Sequence, residues 1–170
     1  MRLNDKYYMS KSKNDYNTPI EAWILLIQNM RKVKGLTFWL PFYNDGSIKK
    51  EIVKHTDDIN IIHHKTDFYS YEPEQYDIIA DNPPYNNKEF VLKRCLELGK
   101  PFALLLPMET MERQFFSDMF KNDKLLQVII PRRRYEFSSK YANSQGKVPF
   151  KSVWITYNMN LKSKNNVIFE

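Results

Sequence analysis

Short apolar runs recur along this chain and alternate with segments patterned for helices, and that alternation limits the folds open to it. "LTFWLPFY" (36–43), "INIIHH" (59–64), "YDIIA" (76–80), "PFALLLP" (101–107) and "LLQVII" (125–130) are the runs. Apolar residues that continue without polar alternation belong to strands covered on both faces. "SIKKEIVKH", "NKEFVLKRCLELG" and "METMERQFFSDMF" lie between them and read as helices, the second closed by Gly99. Strands joined by helices about ten residues long imply right-handed crossovers and a mostly parallel sheet. The expected fold is a three-layer α/β sandwich. The chain ends differently, with "RRRYEF", a polar loop from Ser138 to Lys147, then "FKSVWITY" with no helix between. This predicts an antiparallel hairpin on the edge of the sheet.

At 170 residues, 42% apolar and 15% aromatic, the chain can bury the core of one domain. Residues 1–15 are polar and carry several lysines, so they read as a flexible basic arm, leaving 16–170 as a single domain. Thr18 and Pro19 open a helix as N-cap and first residue, with Ile20, Trp23, Ile24 and Ile27 on one face and Gly35 as a stop. Cys95 is the single cysteine and reads as a small buried apolar residue, which excludes an intrachain disulfide and a cysteine-rich metal site. No apolar run suits a membrane span, and "MRLNDKYYMSKSK" lacks a signal peptide's apolar stretch, so a soluble cytoplasmic chain is expected. The formal charge of +6 permits a polyanionic partner without requiring one.

The apolar run "YDIIA" gives way, after Asp81, to Asn82-Pro83-Pro84-Tyr85. In open α/β sheets ligands bind beyond the carboxyl ends of strands, where this segment would lie. One reading is a rigid turn into a helix capped by Asn86 or Asn87. The other accounts for the four residue types together. The two prolines fix the turn, the amide oxygen of Asn82 and the carbonyl of Pro83 accept from one NH2 group, and Tyr85 stacks on a flat base swung out of its helix. Holding an amino group this way readies its nitrogen to attack a methyl donor without a strong general base.

These residues resemble the (Asp/Asn)-Pro-Pro-(Tyr/Phe) motif of amino-methyltransferases that use S-adenosylmethionine. "DYNTPIEAWILL", "KTDFYSYEPEQYDIIADNPPY" and "PRRRYEF…GKVPFKSVWITY" are similar, in one order over residues 15–157, to segments of compact phage-type DNA adenine methyltransferases. The resemblance implies a Rossmann-like methyltransferase fold in a phage, bacterial or viral setting, acting on adenine in double-stranded DNA with the target base flipped out. It places Asn82, Pro83, Pro84 and Tyr85 in catalysis. Tyr16, Thr18, the segment from Pro41 through Ser47 (Pro41, Phe42, Asn44, Asp45 and Gly46 above all), Asp67 and Asn82 would shape the cofactor pocket, Asp67 near the adenine. An Asn or Asp at the first motif position suits adenine, whereas cytosine enzymes more often carry Ser. RNA adenine and a glutamine amide present the same planar NH2.

The chain departs from the pattern at two places. Leu40 stands where an acidic residue usually precedes Pro41, and Gly46 is the only glycine of that loop. His63 and His64 stand where the second strand usually offers a carboxylate to the ribose. These departures leave open a second class of function, a catalytically inactive methyltransferase-like chain that binds nucleic acid or supports a partner subunit; a homodimer is also compatible.

Adjacent strand residues point to opposite faces, so His63 and His64 are poorly placed for one metal ion and read as surface or pocket-rim groups. Arg132, Arg133 and Arg134, with Lys140 and Lys147 of the polar loop, are candidate phosphate contacts beside the pocket. Lys6, Lys11 and Lys13 of the arm could add to them. Phe115, Phe116, Met119 and Phe120 at helical spacing read as core, as do Trp39 and Trp154.

Overall fold

The computed structural model describes residues 17–137 and 150–170. The N-terminal arm and the Ser138–Lys147 loop, with Tyr16, Lys140 and Lys147, lie outside the described residues.

Helix α1 (Ile20–Asn29) leads to strand β1 (Thr37–Trp39), followed by α2 (Ser47–His55), β2 (Asn60–Ile62) and β3 (Ile78–Asp81). A 3₁₀ turn (Tyr85–Asn87) runs into α3 (Lys88–Leu98), then β4 (Phe102–Pro107), a second 3₁₀ turn (Met108–Glu112) and α4 (Gln114–Phe120). Strands β5 (Leu126–Ile130), β6 (Ser152–Tyr157) and β7 (Val167–Phe169) complete one seven-stranded sheet, in the order β2-β1-β3-β4-β6-β5-β7. Every pairing is parallel except those of β6, which runs antiparallel to both β4 and β5. The chain steps outward from β1 to β2 and returns to β3 on the other side of β1. The order therefore reverses between β1 and β3, the kind of switch point beyond which α/β sheets hold their ligands.

Continuous apolar runs are explained by burial on both faces. Phe38, Ala80, Ala103, Leu105, Ile129 and Trp154 pack with Ala22, Trp23 and Leu26 of α1 and Ile52 of α2. Trp39, Ile79, Leu104, Leu106, Val128 and Ile155 face the other way, against Val91, Leu92 and Cys95 of α3 and Phe116 and Phe120 of α4. The two sets alternate along each strand, as the pleat demands. Each large side chain so buried contributes about 1.5–3 kcal/mol. Trp23 meets Trp154 edge-on at 5.3 Å, and the Trp154 indole N–H donates to the Ala22 carbonyl at 2.8 Å.

The expected three-layer α/β architecture is observed, with differences of detail. The C-terminal antiparallel strand is not on the edge: β6 is inserted between β4 and β5, with all its residues but Tyr157 buried. The edge beside β5 is β7, which is too short to show a period in sequence. The N-cap of α1 is Pro19, without a side-chain cap bond, so Thr18 is released from the role expected of it. The buried stripe of α1 centres on Ala22, Trp23 and Leu26 rather than on Ile20, Ile24 and Ile27. "METMERQFFSDMF" splits into a 3₁₀ turn and a short helix. Asn87 does precede α3, with no side-chain cap bond.

Candidate functional site

Strands β1 and β3 lie side by side, with Trp39 opposite Ile79. Two residues further on, the side chain of Asp81 bridges the segments leaving both strands. Its Oδ2 accepts from the Phe42 N–H at 2.6 Å, and its Oδ1 accepts from the Asn82 N–H at 2.8 Å. Asp81 is only 3% exposed. Burial, opposed by those two N–H groups, pushes its carboxyl up from 3.8 to about 7.

Asn82 follows, and its side-chain Oδ1 is buried with no hydrogen-bond partner among the described residues. A buried acceptor left unpaired costs about 1–3 kcal/mol, so its persistence calls for a reason. Pro83 is buried and Pro84 exposed, and the Pro84 carbonyl accepts from Asn87 N–H at 3.3 Å, closing the turn. Tyr85, partly buried, meets Phe150 edge-on at 5.4 Å. Lys88 reaches Glu109 at 3.4 Å and ties the start of α3 to the turn after β4.

Beside Asp81 and Asn82 a cavity of about 240 Å³ opens, its other walls being residues of the β1–α2 loop, the first turns of α2, and Asn17 and Thr18. The loop is held by specific contacts. Asp45 accepts from the Ser47 N–H and hydroxyl at 3.0 and 2.6 Å. Asn17 donates to Asp45 at 3.2 Å and accepts from Asn44 at 2.9 Å, which binds the segment before α1 across the loop. Gly46 has φ of +75°, and a Cβ there would meet the Tyr43 hydroxyl at 2.5 Å. The left-handed backbone favours glycine there, and a Cβ would also require the Tyr43 side chain to shift. The Tyr43 ring stacks on His63 at 4.9 Å.

His63 is buried, and its Nδ1 is 2.9 Å from the Leu40 carbonyl, so Nδ1 carries the proton and donates. Burial lowers its pKa and keeps the ring neutral. The expectation of surface or rim groups thus holds for exposed His64 and fails for His63, which supports the loop from beneath.

Of the residues anticipated for a cofactor pocket, Thr18, Phe42, Asn44, Asp45 and Asn82 converge on this cavity. Pro41 and Gly46 shape its loop without lining it. Asp67 stands apart and accepts from the Ser70 hydroxyl at 2.7 Å; its neighbour Phe68 packs on Phe42 at 5.1 Å. Arg132, Arg133 and Arg134 line a separate groove of about 640 Å³ with Glu21, Glu136 and Glu170. Asn17, Ile48, Glu51 and Asp81 line the cavity unanticipated. The available signal for Asp81 was a carboxylate closing an otherwise apolar strand. The cavity's charged walls, Asp45, Glu51 and Asp81, are all acidic, in a chain of formal charge +6.

Among the described residues no His, Cys, Asp and Glu group is arranged to hold a metal ion, and no helix is long and apolar enough to cross a membrane.

No protein-family model and no curated protein sequence matches this chain. Solved structures do. A dimethyladenosine transferase from Plasmodium falciparum aligns with a TM-score of 0.53 and 12% identity, over 86% of this chain and 64% of that one. The 23S rRNA methyltransferase ErmE aligns at 0.50 and 10%, over 87% and 72%. A modification subunit assigned to a type I restriction enzyme from Vibrio vulnificus aligns at 0.50 and 10%, over 94% and 47%. The chain thus spans less than two thirds of the first and third. At these identities the likeness is one of fold, and the fold is that of Rossmann-like methyltransferases.

Proposed function

We propose that this chain uses S-adenosylmethionine to methylate the exocyclic amino group of adenine in nucleic acid, with DNA as the substrate. The observation that carries the reading is the buried, unpartnered Oδ1 of Asn82 at the carboxyl end of β3, beside an acidic cavity. An acceptor kept dry and unpaired suits a ligand that brings an N–H donor, and an amino group is one.

The cavity also fits the cofactor. Its volume, about 240 Å³, is below the range for a whole drug-sized ligand and suits the amino-acid end of the molecule. Thr18, Asn44, Asp45 and the Phe42 backbone would hold that end, with Tyr16, Pro41 and Gly46 shaping the surround and Asp67 turned to the adenine. When bound, S-adenosylmethionine supplies a methyl group activated by a sulfonium charge.

Asn82 Oδ1 and the Pro83 carbonyl would each accept one N–H of the substrate amino group, orienting the nitrogen lone pair. Pro83 and Pro84 keep this turn rigid, and Tyr85, backed edge-on by Phe150, would flank the flipped base. The proton leaves after the methyl has arrived, so no strong base is needed. Arg132, Arg133, Arg134, Lys140 and Lys147 would contact phosphate. The +6 charge supports nucleic acid over a glutamine side chain. Residues 16–170 would act as one domain.

Two of the aligned structures are named for adenosine or rRNA methylation, which supports RNA as the second reading. Transfer of labelled methyl to DNA and RNA pools separates the two. With either polymer, Asn82→Ala should reduce transfer about 10²–10³-fold without lowering the melting midpoint, since the unpaired buried acceptor is removed. Unimpaired transfer would end this mechanism.

A further inference from the structure

We propose that Asp81 is the group by which the cavity distinguishes the charged methyl donor from the uncharged product of its reaction. The inference rests on reading the cavity as the S-adenosylmethionine site. Donor and product differ by one methyl group and one positive charge: S-adenosylmethionine is a sulfonium, and S-adenosylhomocysteine is a neutral thioether. A group sensitive to that charge adds to the about 10–200-fold that a methyl alone is worth.

The loop after β1 does not supply the carboxylate expected of it. Leu40 occupies that position and is fully buried. The neighbouring strand does supply one. Asp81 lies two residues beyond the last β1–β3 pair, Trp39 with Ile79, and its Oδ2 reaches over to the Phe42 N–H. Among the described residues each Asp81 oxygen accepts a single N–H, while an ionised carboxylate offers about four acceptor positions. Capacity for a further partner therefore remains on the cavity side.

Among the described residues that partner is not a basic side chain. The charged groups sharing the cavity are Asp45 from the β1–α2 loop and Glu51 from α2, both acidic. The segment before α1 contributes Asn17 and Thr18, and β3 adds Asn82. His63, beneath the loop, is neutral. No described residue brings a cation to Asp81, which leaves the ligand's own positive charge to do so. Without one, burial favours the protonated carboxyl, which titrates near 7. A sulfonium nearby restores the carboxylate, and its conversion to a thioether removes the attraction, so product binds less tightly than donor.

Calorimetric titration of S-adenosylmethionine and S-adenosylhomocysteine into the full chain, near pH 8 and near pH 6, tests this. The readout is the ratio of the two dissociation constants, in which the amino and carboxyl groups common to both ligands largely cancel. In the unmodified protein the preference for the charged ligand should fall about tenfold from the higher to the lower pH, as Asp81 takes up its proton. Asp81→Asn should have a lower preference near pH 8 that no longer changes with pH. Binding of the neutral ligand, within about threefold of the original, would show its pocket intact. A pH-independent ratio in the unmodified protein overturns the proposal, as does an unchanged ratio in a variant that still binds the neutral ligand. If the variant binds neither ligand, the unmodified protein's pH dependence decides. If the unmodified protein binds neither, the reading of the cavity fails and the proposal falls with it.

Discussion

Replacing Asp81 by asparagine should make the protein relatively more stable as the pH rises. In the folded chain the carboxyl titrates near 7 because burial disfavours its charge, against 3.8 when exposed. Below 3.8 both states hold the proton and the group has no effect on stability. Between 3.8 and about 7 the unfolded chain has released its proton and the folded chain has not, so stability falls as pH rises. Above 7 the penalty levels off, at about 4 kcal/mol in total. From about pH 5 to about pH 8 it should grow by about 2–3 kcal/mol. Asparagine has no charge to bury. It keeps one acceptor for Phe42 or Asn82 and leaves the other N–H facing an amide, a cost of about 1–3 kcal/mol that does not depend on pH. The stability difference between variant and original, from urea denaturation at the two pH values, should therefore move by about 2–3 kcal/mol in favour of the variant. The difference cancels every other titrating group common to both proteins. A difference constant to within about 0.5 kcal/mol would refute the reasoning, because it would mean that the Asp81 carboxyl titrates normally.

Gly46→Ala should destabilise the fold by about 1–3 kcal/mol, combining a left-handed backbone with the approach of Tyr43. Thermal melts check this, and a neutral outcome would mean that the loop has another conformation available. Trp154→Phe removes the indole N–H that reaches the Ala22 carbonyl and opens a void beside Trp23, for a loss of about 2–3 kcal/mol in urea denaturation. A loss below about 0.5 kcal/mol would show that this contact does not secure α1 to the sheet.

What could be read in the sequence is what short-range pattern encodes. The unbroken apolar run at Phe102–Pro107 and the largely apolar one at Leu126–Ile130 located β4 and β5, and "SIKKEIVKH" located α2. Asn82 could be singled out as a candidate because its residue type and two prolines carry a chemical meaning wherever they fall. Asp81 could not. One position earlier, it reads as the polar end of a strand, and its burial depends on β1 lying alongside β3, a contact between residues about forty apart. His63 was misread for the same reason: its partner is the carbonyl of Leu40 on the neighbouring strand. The position of β6 is also a long-range matter. Its composition announces a covered strand, but nothing local says whether it caps the edge or enters the sheet.

That entry has a consequence for assembly during synthesis. When the ribosome has delivered β5, its eventual neighbour β6 has not yet emerged, and β4 waits with an open apolar edge formed by Phe102–Pro107. Nothing delivered by then can close the gap between β4 and β5, since both pair with β6 and not with each other. For that interval the nascent chain carries one unprotected edge on β4 and two on β5, each a template for pairing with another molecule. Ser152–Tyr157 acts as a late keystone that joins the two halves of the sheet in one step.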